Sequence, residues 1–227
     1  MQDEDTPLTI VNEAAIAAAE LRHDPYDYCF VDDALPQSRK QRVLDDAPVI
    51  PGFGGYGLAD LEYGPEFGKV VDELLSDRFR SLVERKFDID LGKCPPGVVM
   101  TGDAGGHDDE GRAHPDSKRA IVSVLVGFSR EWPGDRGKLK VLRADDRDDF
   151  AFEYAPEYGK MLMFRVCEHA RHGFLPQRGR RASLELSYVD SDRRAKRDPW
   201  RRSWSAYARS PLLRKAIALA PRRFFAP

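Results

Sequence analysis

Six short apolar runs between Gly97 and Val189 restrict the fold of this chain more than any other feature. They read GVVMTG, AIVSVLVGF, GKLKVLR, FAFEYAP, KMLMFRV and ASLELSYV. Each run has the length of a strand, and turn-forming residues separate consecutive runs at a spacing of roughly 10 to 20 residues. This rhythm favours an antiparallel barrel or sandwich rather than a parallel sheet with crossover helices.

The residues before these strands are predicted to be mainly helical. An Ala-rich segment that ends near His23 has its apolar residues at helical spacing, and a short strand, YDYCFVDD, follows it. A second helix is predicted between Pro36, at a favourable first helical position, and Pro48. The clearest pattern predicts one continuous helix over PEFGKVVDELLSDRFRSLVERKF, whose broad apolar face suits packing against a core.

The length of 227 residues suits one generous domain, or one domain with an appendage. No apolar run approaches the roughly 20 residues of a membrane-spanning helix, and MQDEDTPL lacks the basic region of a signal peptide. Cys29, Cys94 and Cys167 are odd in number and widely spaced, so neither a disulfide framework nor a zinc knuckle is expected. We therefore expect a cytoplasmic protein with reduced thiols.

The last residues differ electrically from the rest of the chain. Residues 193–227 contain eleven Lys and Arg against one acid, a charge of +10, whereas the first 192 residues carry −12, because 25 Lys and Arg face 37 Asp and Glu. We expect a single domain over residues 1–192, with helices in 1–90 and a β core at about 97–189. Residues 193–227 are expected to form a basic, aromatic, helical extension.

Two alternatives remain open for this basic extension. Trp200, Trp204 and Tyr207 are spaced to share a helical face, which could lie on an anionic membrane surface. The same face could instead dock on the acidic body of the protein. No recognisable nucleic-acid-binding module accompanies the positive charge, so no nucleic-acid partner is expected, and the oligomeric state is not predicted.

A possible metal site begins at His114 and Asp116, just before the apolar run AIVSVLVGF. On an extended chain, side chains two residues apart point to the same side, so this pair can bind one metal ion. Two ligands alone are a weak signal, and His169 and His172 are the candidates for a third. Two histidines and one carboxylate, with other positions left open, are typical of non-haem Fe(II) oxygenases.

Many such enzymes also need a cation for the far carboxylate of 2-oxoglutarate. Arginine suits this task because its planar fork pairs with a carboxylate through two hydrogen bonds. Arg181 lies nine residues after His172, and a turn and a return strand of that length can bring both into one pocket. Ser183 would face the same side and offers a hydroxyl to the same carboxylate.

Four segments of the chain together resemble the Fe(II)- and 2-oxoglutarate-dependent dioxygenases, especially their prolyl 4-hydroxylase-like branch. The resemblance covers roughly residues 26–189. Its segments are HPDSK, GDRGKLKVLR, EYAPEYGKMLMF and RHGFLPQRGRRASLEL. It implies a mainly β fold with flanking helices, built around a double-stranded β-helix, the jelly-roll core shared with cupins.

The resemblance also implies an activity and its site residues. It assigns iron ligation to His114, Asp116 and His172, and 2-oxoglutarate binding to Arg181 with support from Ser183. The implied reaction is hydroxylation of an unactivated C–H bond with O₂ as cosubstrate and with succinate and CO₂ as co-products; it also allows a role for ascorbate. The sequence does not distinguish a peptidyl residue, an amino acid, a sugar or a natural product as the substrate.

Two competing assignments stay open within the site. A second H-x-D motif, at His107 and Asp109, lies in a Gly-flanked acidic loop, and we prefer His114 because HPDSK leads directly into a strand. His169 competes with His172 because Arg178 lies nine residues after it. The Gly-x-Arg-x-Ser arrangement that begins at Gly179 favours His172.

A different class of function also agrees with the sequence. A non-catalytic jelly-roll protein could bind a metal or another ligand through the same residues, because one fold serves many functions. Arg181 separates the two hypotheses, since a metal-binding module without a cosubstrate has no need for it. Arg171, where the family usually has an aromatic residue before the second histidine, could alter the substrate side of the pocket.

Overall fold

A computed structural model describes residues 6–52, 54–105, 111–116, 119–132, 134–175 and 178–190. The helices are α1 (Glu13–Ala18), α2 (Lys40–Asp46), α3 (Pro65–Leu74) and α4 (Asp77–Phe87). The strands are β1 (Tyr28–Val31), β2 (Gly54–Gly57), β3 (Pro96–Gly105), β4 (His114–Pro115), β5 (Ala120–Gly127), β6 (Leu139–Leu142), β7 (Phe150–Tyr154), β8 (Met161–Arg165), β9 (Arg171–Gly173) and β10 (Arg178–Val189).

The strands form two antiparallel sheets. The larger has six strands in the order β1-β8-β5-β10-β3-β2, and the smaller has four in the order β4-β9-β6-β7. All six runs predicted from the sequence form strands, and the predicted mainly β fold with flanking helices and a jelly-roll core is confirmed. The sequence did not predict β2, β4 and β9, which are two to four residues long.

The central strand β5 is buried on both faces because each face packs against a different layer. Val122, Val124 and Val126 point towards the helices, in a core that also contains Phe67, Val70, Phe79, Leu82, Leu184 and Leu186. Leu125 points into the space between the two sheets, in a cluster with Leu139, Val141, Tyr154, Leu162 and Phe164. Burial on both faces explains the nearly continuous apolar sequence of this strand.

The predicted continuous helix is two helices in the structure. α3 ends at Leu74, and Ser76 begins α4 by accepting a hydrogen bond from the Phe79 N–H at 3.2 Å. The same hydroxyl donates to the Glu73 carbonyl at 2.7 Å. Ser76 therefore satisfies one end of each helix, which allows the chain to bend while its apolar face stays on the core.

The first helix is also shorter than its sequence pattern predicts, because Arg22, which lies within the predicted helix, forms a β-bridge with Tyr28. α1 ends at Ala18 rather than near His23. Arg22 and Tyr28 exchange two backbone hydrogen bonds, at 2.8 and 2.9 Å. The backbone N–H and C=O of Arg22 are therefore not available for helical hydrogen bonds. Helix α2 starts at Lys40, after a turn of 3-10 helix that follows Pro36.

Several sequence predictions fall outside the described residues. They concern the basic extension at 193–227 and the competing H-x-D motif at His107 and Asp109. Among the residues that are described, no helix has the length and apolar character needed to cross a membrane.

Candidate functional site

Two very short strands bring the candidate metal ligands together. β4 and β9 pair antiparallel, with His114 directly opposite His172, and the two imidazole rings lie 4.5 Å apart between centroids. Asp116 follows β4 by one residue. One ligand atom from each of the three side chains lies within 4.8 Å of the other two, a separation that one metal ion can span.

The surroundings of the two histidines suit metal binding for different reasons, a hydrogen bond in His114 and burial in His172. Nδ1 of His114 lies 2.8 Å from the Arg112 carbonyl oxygen, which only accepts, so Nδ1 carries the proton and Nε2 is free to bind a metal. Nε2 of His172 lies 3.4 Å from Oδ1 of Asp116. Burial lowers the pKa of His172 to about 4, although Asp116 opposes the shift, so the imidazole is neutral near pH 7.

This lowered pKa predicts how acid affects the metal-free protein. Between about pH 6.5 and about pH 4, the unfolded chain protonates His172 and the folded chain does not. Because the unfolded chain binds the additional proton, the free energy of unfolding decreases as the pH falls through this range. Above about pH 6.5 the protonation of His172 no longer favours the unfolded chain. We expect His172→Asn to make the free energy of unfolding fall less steeply over this range, measured by urea denaturation with a chelator present. Equal slopes for the two proteins would contradict the neutral state of His172.

Arg181 lies on β10 of the larger sheet with its charged group directed into the protein. Its guanidinium carbon stacks 3.8 Å from the centroid of the Phe174 ring, and its Nη1 is buried without a hydrogen-bond partner among the described residues. Burial lowers the pKa of Arg181 to about 10, so the group stays charged near pH 7. A buried guanidinium nitrogen without a hydrogen-bond partner is costly, and an anionic ligand would remove that cost.

Two neutral hydroxyls are also buried without a hydrogen-bond partner among the described residues. The Oγ of Ser183 and the phenol oxygen of Tyr154 are both buried, and neither finds a hydrogen-bond partner in the part of the chain that is described. Tyr154 lies on β7 of the smaller sheet, and its phenol interacts electrostatically with Arg181. Three unpaired buried donors from two sheets fit a ligand with several acceptor oxygens, such as a carboxylate.

Tyr154 is a candidate site residue that the sequence analysis missed. Its strand reads FAFEY, and burial on the inner face raises the pKa of its phenol well above the usual value. A tyrosine at the end of an alternating strand can fill a core as well as donate a hydrogen bond. The pattern therefore gave no reason to single out its hydroxyl, and the unpaired oxygen is visible only in the structure.

A cleft of about 750 Å³ opens beside Asp116, one of the three candidate ligands. Its lining includes Asp116, Arg165, Cys167, Glu168, His169 and Arg171. His169 is exposed on the wall of this cleft and is not part of the His114, Asp116 and His172 group. Arg171 forms an ion pair with Asp145, and its backbone carbonyl accepts a hydrogen bond from the Tyr26 hydroxyl at 2.8 Å.

Similar folds occur among solved structures, although the sequence matches no protein-family model and no curated protein. A prolyl-4-hydroxylase from Pseudomonas putida has a TM-score of 0.52 and 16% identity, and the alignment covers 82% of this chain and 98% of that one. The chain has the prolyl 4-hydroxylase fold. A prolyl 4-hydroxylase from Phytophthora capsici has a TM-score of 0.52 and 13% identity, over 96% of this chain and 76% of that one.

A third structure with the prolyl 4-hydroxylase fold is a prolyl hydroxylase from Trichoplax adhaerens, in complex with a peptide fragment of the hypoxia inducible factor oxygen degradation domain. Its TM-score is 0.52 at 18% identity, over 81% of this chain and 91% of that one. At such low sequence identity, the structural similarity establishes the prolyl 4-hydroxylase fold and nothing more. This fold agrees with the family resemblance of the sequence. The roles of His114, Asp116, His172, Arg181 and Ser183 stay predictions.

Proposed function

We propose that this protein is an Fe(II)- and 2-oxoglutarate-dependent dioxygenase, an oxidoreductase that hydroxylates an unactivated C–H bond and releases succinate and CO₂. One observation carries the proposal. The same jelly-roll fold brings together a group of two histidines and one carboxylate and, on β10, Arg181, whose buried Nη1 has no hydrogen-bond partner among the described residues. A site for a metal alone does not require the second feature.

The chemistry of His114, Asp116 and His172 fits Fe(II). Two neutral imidazole nitrogens and one carboxylate oxygen form the donor set of non-haem Fe(II) oxygenases, and three protein ligands leave positions for a cosubstrate and O₂. When bound, iron with 2-oxoglutarate and O₂ would supply the oxidising chemistry. Burial holds His172 in the neutral form, and the Arg112 carbonyl directs Nε2 of His114 towards the metal position, so both imidazoles can offer a lone pair.

The residues around Arg181 would hold the cosubstrate. Its guanidinium stays charged in the interior and would pair with the far carboxylate of 2-oxoglutarate. The hydroxyls of Ser183 and Tyr154 can donate to the same carboxylate, so all three unpaired donors would be satisfied by one ligand. Leu125, Leu139, Val141, Leu162 and Phe164 line the neighbouring interior and would keep water from it.

The substrate would approach through the cleft beside Asp116. This cleft of about 750 Å³ has the size of a pocket for a small molecule or for one residue of a peptide. The peptide bound to the Trichoplax adhaerens prolyl hydroxylase supports a peptidyl substrate, and a small molecule stays an alternative. The cytoplasmic location and the role of the basic extension stay predictions.

Turnover of 2-oxoglutarate tests the proposed function. The full-length protein, given Fe(II), ascorbate, O₂ and 2-oxoglutarate, should form succinate, and one class in a panel of peptides, amino acids and sugars should accelerate it. Metal-dependent binding of 2-oxoglutarate without succinate from any member of the panel would favour the non-catalytic alternative. The absence of both binding and succinate would contradict the proposal.

A further inference from the structure

One polar residue interrupts the apolar central strand. Ser123 is fully buried in β5, between Val122 and Val124, which face the helices. The alternation of a strand turns Ser123 to the opposite face, towards the interior between the sheets. A hydroxyl buried this completely requires a hydrogen-bond partner, and the identity of that partner indicates what the residue does.

The partner of Ser123 is the carboxylate of Asp116. The Ser123 hydroxyl donates a short hydrogen bond to Oδ2 of Asp116, since an ionised carboxylate can only accept. The other carboxylate oxygen, Oδ1, lies 3.4 Å from Nε2 of His172. The two oxygens of Asp116 therefore have different surroundings: Oδ2 is held by β5, and Oδ1 faces the candidate ligand group.

We propose that Ser123 is a positioning residue that fixes Asp116 as a metal ligand through one oxygen only. This inference rests on the proposed function, because it concerns the metal that the function needs. A carboxylate without this hydrogen bond can rotate about its last torsion, which has a broad energy profile, and can offer both oxygens. A second oxygen on the metal would take up a position that the cosubstrate or O₂ needs.

Ser187 provides a matched control for Ser123. It lies directly opposite Ser123 in the pairing of β10 with β5, and the two hydroxyl oxygens are 3.4 Å apart. The Ser187 hydroxyl donates to Oε1 of Glu185 at 3.3 Å. Both distances exceed the usual range for hydroxyl donors, so the strong hydrogen bond of Ser123 is the one to Asp116. Ser187 is thus a neighbouring serine that contacts Ser123 and Glu185 but, among the described residues, does not hydrogen-bond to Asp116.

Titration of the full-length protein with Co(II), followed by visible absorption, tests this inference without any turnover. We expect Ser123→Ala to weaken Co(II) binding about 10- to 100-fold, the range typical for loss of a group that orients a metal ligand. Its spectrum should also change, because a freed carboxylate alters the coordination. Ser187→Ala should bind Co(II) within about threefold of wild type, and Ser123→Thr, which keeps the hydroxyl, should do the same.

The outcomes separate this inference from the proposed function. If wild type does not bind Co(II), the proposed function fails and this inference fails with it. If wild type binds and Ser123→Ala binds equally well with the same spectrum, only the role of Ser123 is overturned. Thermal unfolding of the metal-free variants checks that they fold. Should Ser123→Ala fail to fold, a tenfold loss of Co(II) affinity in a folded Ser123→Thr would overturn the inference, and retained affinity would support it.

Discussion

Arg181→Ala should weaken 2-oxoglutarate binding by at least about 100-fold while metal binding stays close to wild type. Loss of one partner from a buried charge pair costs about 3–5 kcal/mol, which corresponds to a change of this size. The candidate metal ligands lie on β4 and β9 or directly after β4, and His114 keeps its hydrogen bond to the Arg112 carbonyl. Calorimetric titration of 2-oxoglutarate into the Mn(II)-loaded full-length protein measures the first effect, and titration with Mn(II) measures the second.

Three further variants show which property of this site matters. Arg181→Lys keeps a charge but loses the planar fork and the stacking on Phe174, so we expect it to restore only part of the affinity. Tyr154→Phe removes one hydroxyl and should cost about tenfold. Arg165→Ala, on the wall of the outer cleft, should leave 2-oxoglutarate binding unchanged. Wild-type affinity in Arg181→Ala would show that the cosubstrate, if any, binds elsewhere.

His172→Ala should remove metal binding, and His169→Ala should leave it nearly unchanged. His172 belongs to the group whose ligand atoms lie within 4.8 Å of one another. His169 is three residues earlier and exposed on the cleft wall. Removal of a direct ligand should exceed the roughly 10- to 100-fold loss typical of a residue that only orients a ligand. Co(II) or Mn(II) titration of the two full-length variants provides the comparison.

The same titrations also test whether His172 or His169 is the third metal ligand, the choice that the sequence left open. If His169→Ala loses the metal and His172→Ala retains it, the assignment based on the Gly-x-Arg-x-Ser arrangement is wrong. The pairing of Arg178 with His169 would then become the better interpretation. Thermal unfolding of the metal-free proteins distinguishes loss of a ligand from loss of the fold.

The sequence predicted the longer strands well because buried strands have a recognisable apolar sequence pattern. β5 is apolar along its length since it is covered on both faces, and each of the six predicted runs forms a strand. β4 and β9, with two and three residues, are too short to show any periodicity. Their pairing places His114 opposite His172, so the decisive geometry of the site was not visible in any one segment.

Two other features depend on contacts between distant parts of the chain. The run AIVSVLVGF includes Ser123, but only the fold shows that its hydroxyl contacts Asp116 rather than solvent. The helix break at Ser76 had a recognisable capping residue, and the unbroken apolar spacing across α3 and α4 concealed it. Local patterns predict which residues are buried, whereas the partner of a buried polar group is set by tertiary structure.

Metal-dependent binding of 2-oxoglutarate is the most direct test of the proposed function. The full-length protein is titrated with 2-oxoglutarate by calorimetry, once with Mn(II) bound and once with a chelator present. We predict that one molecule binds per chain and that bound metal strengthens the binding markedly, because Arg181 interacts electrostatically with His172, which belongs to one group with His114 and Asp116. Equal affinity with and without metal, or no binding in either state, would contradict it.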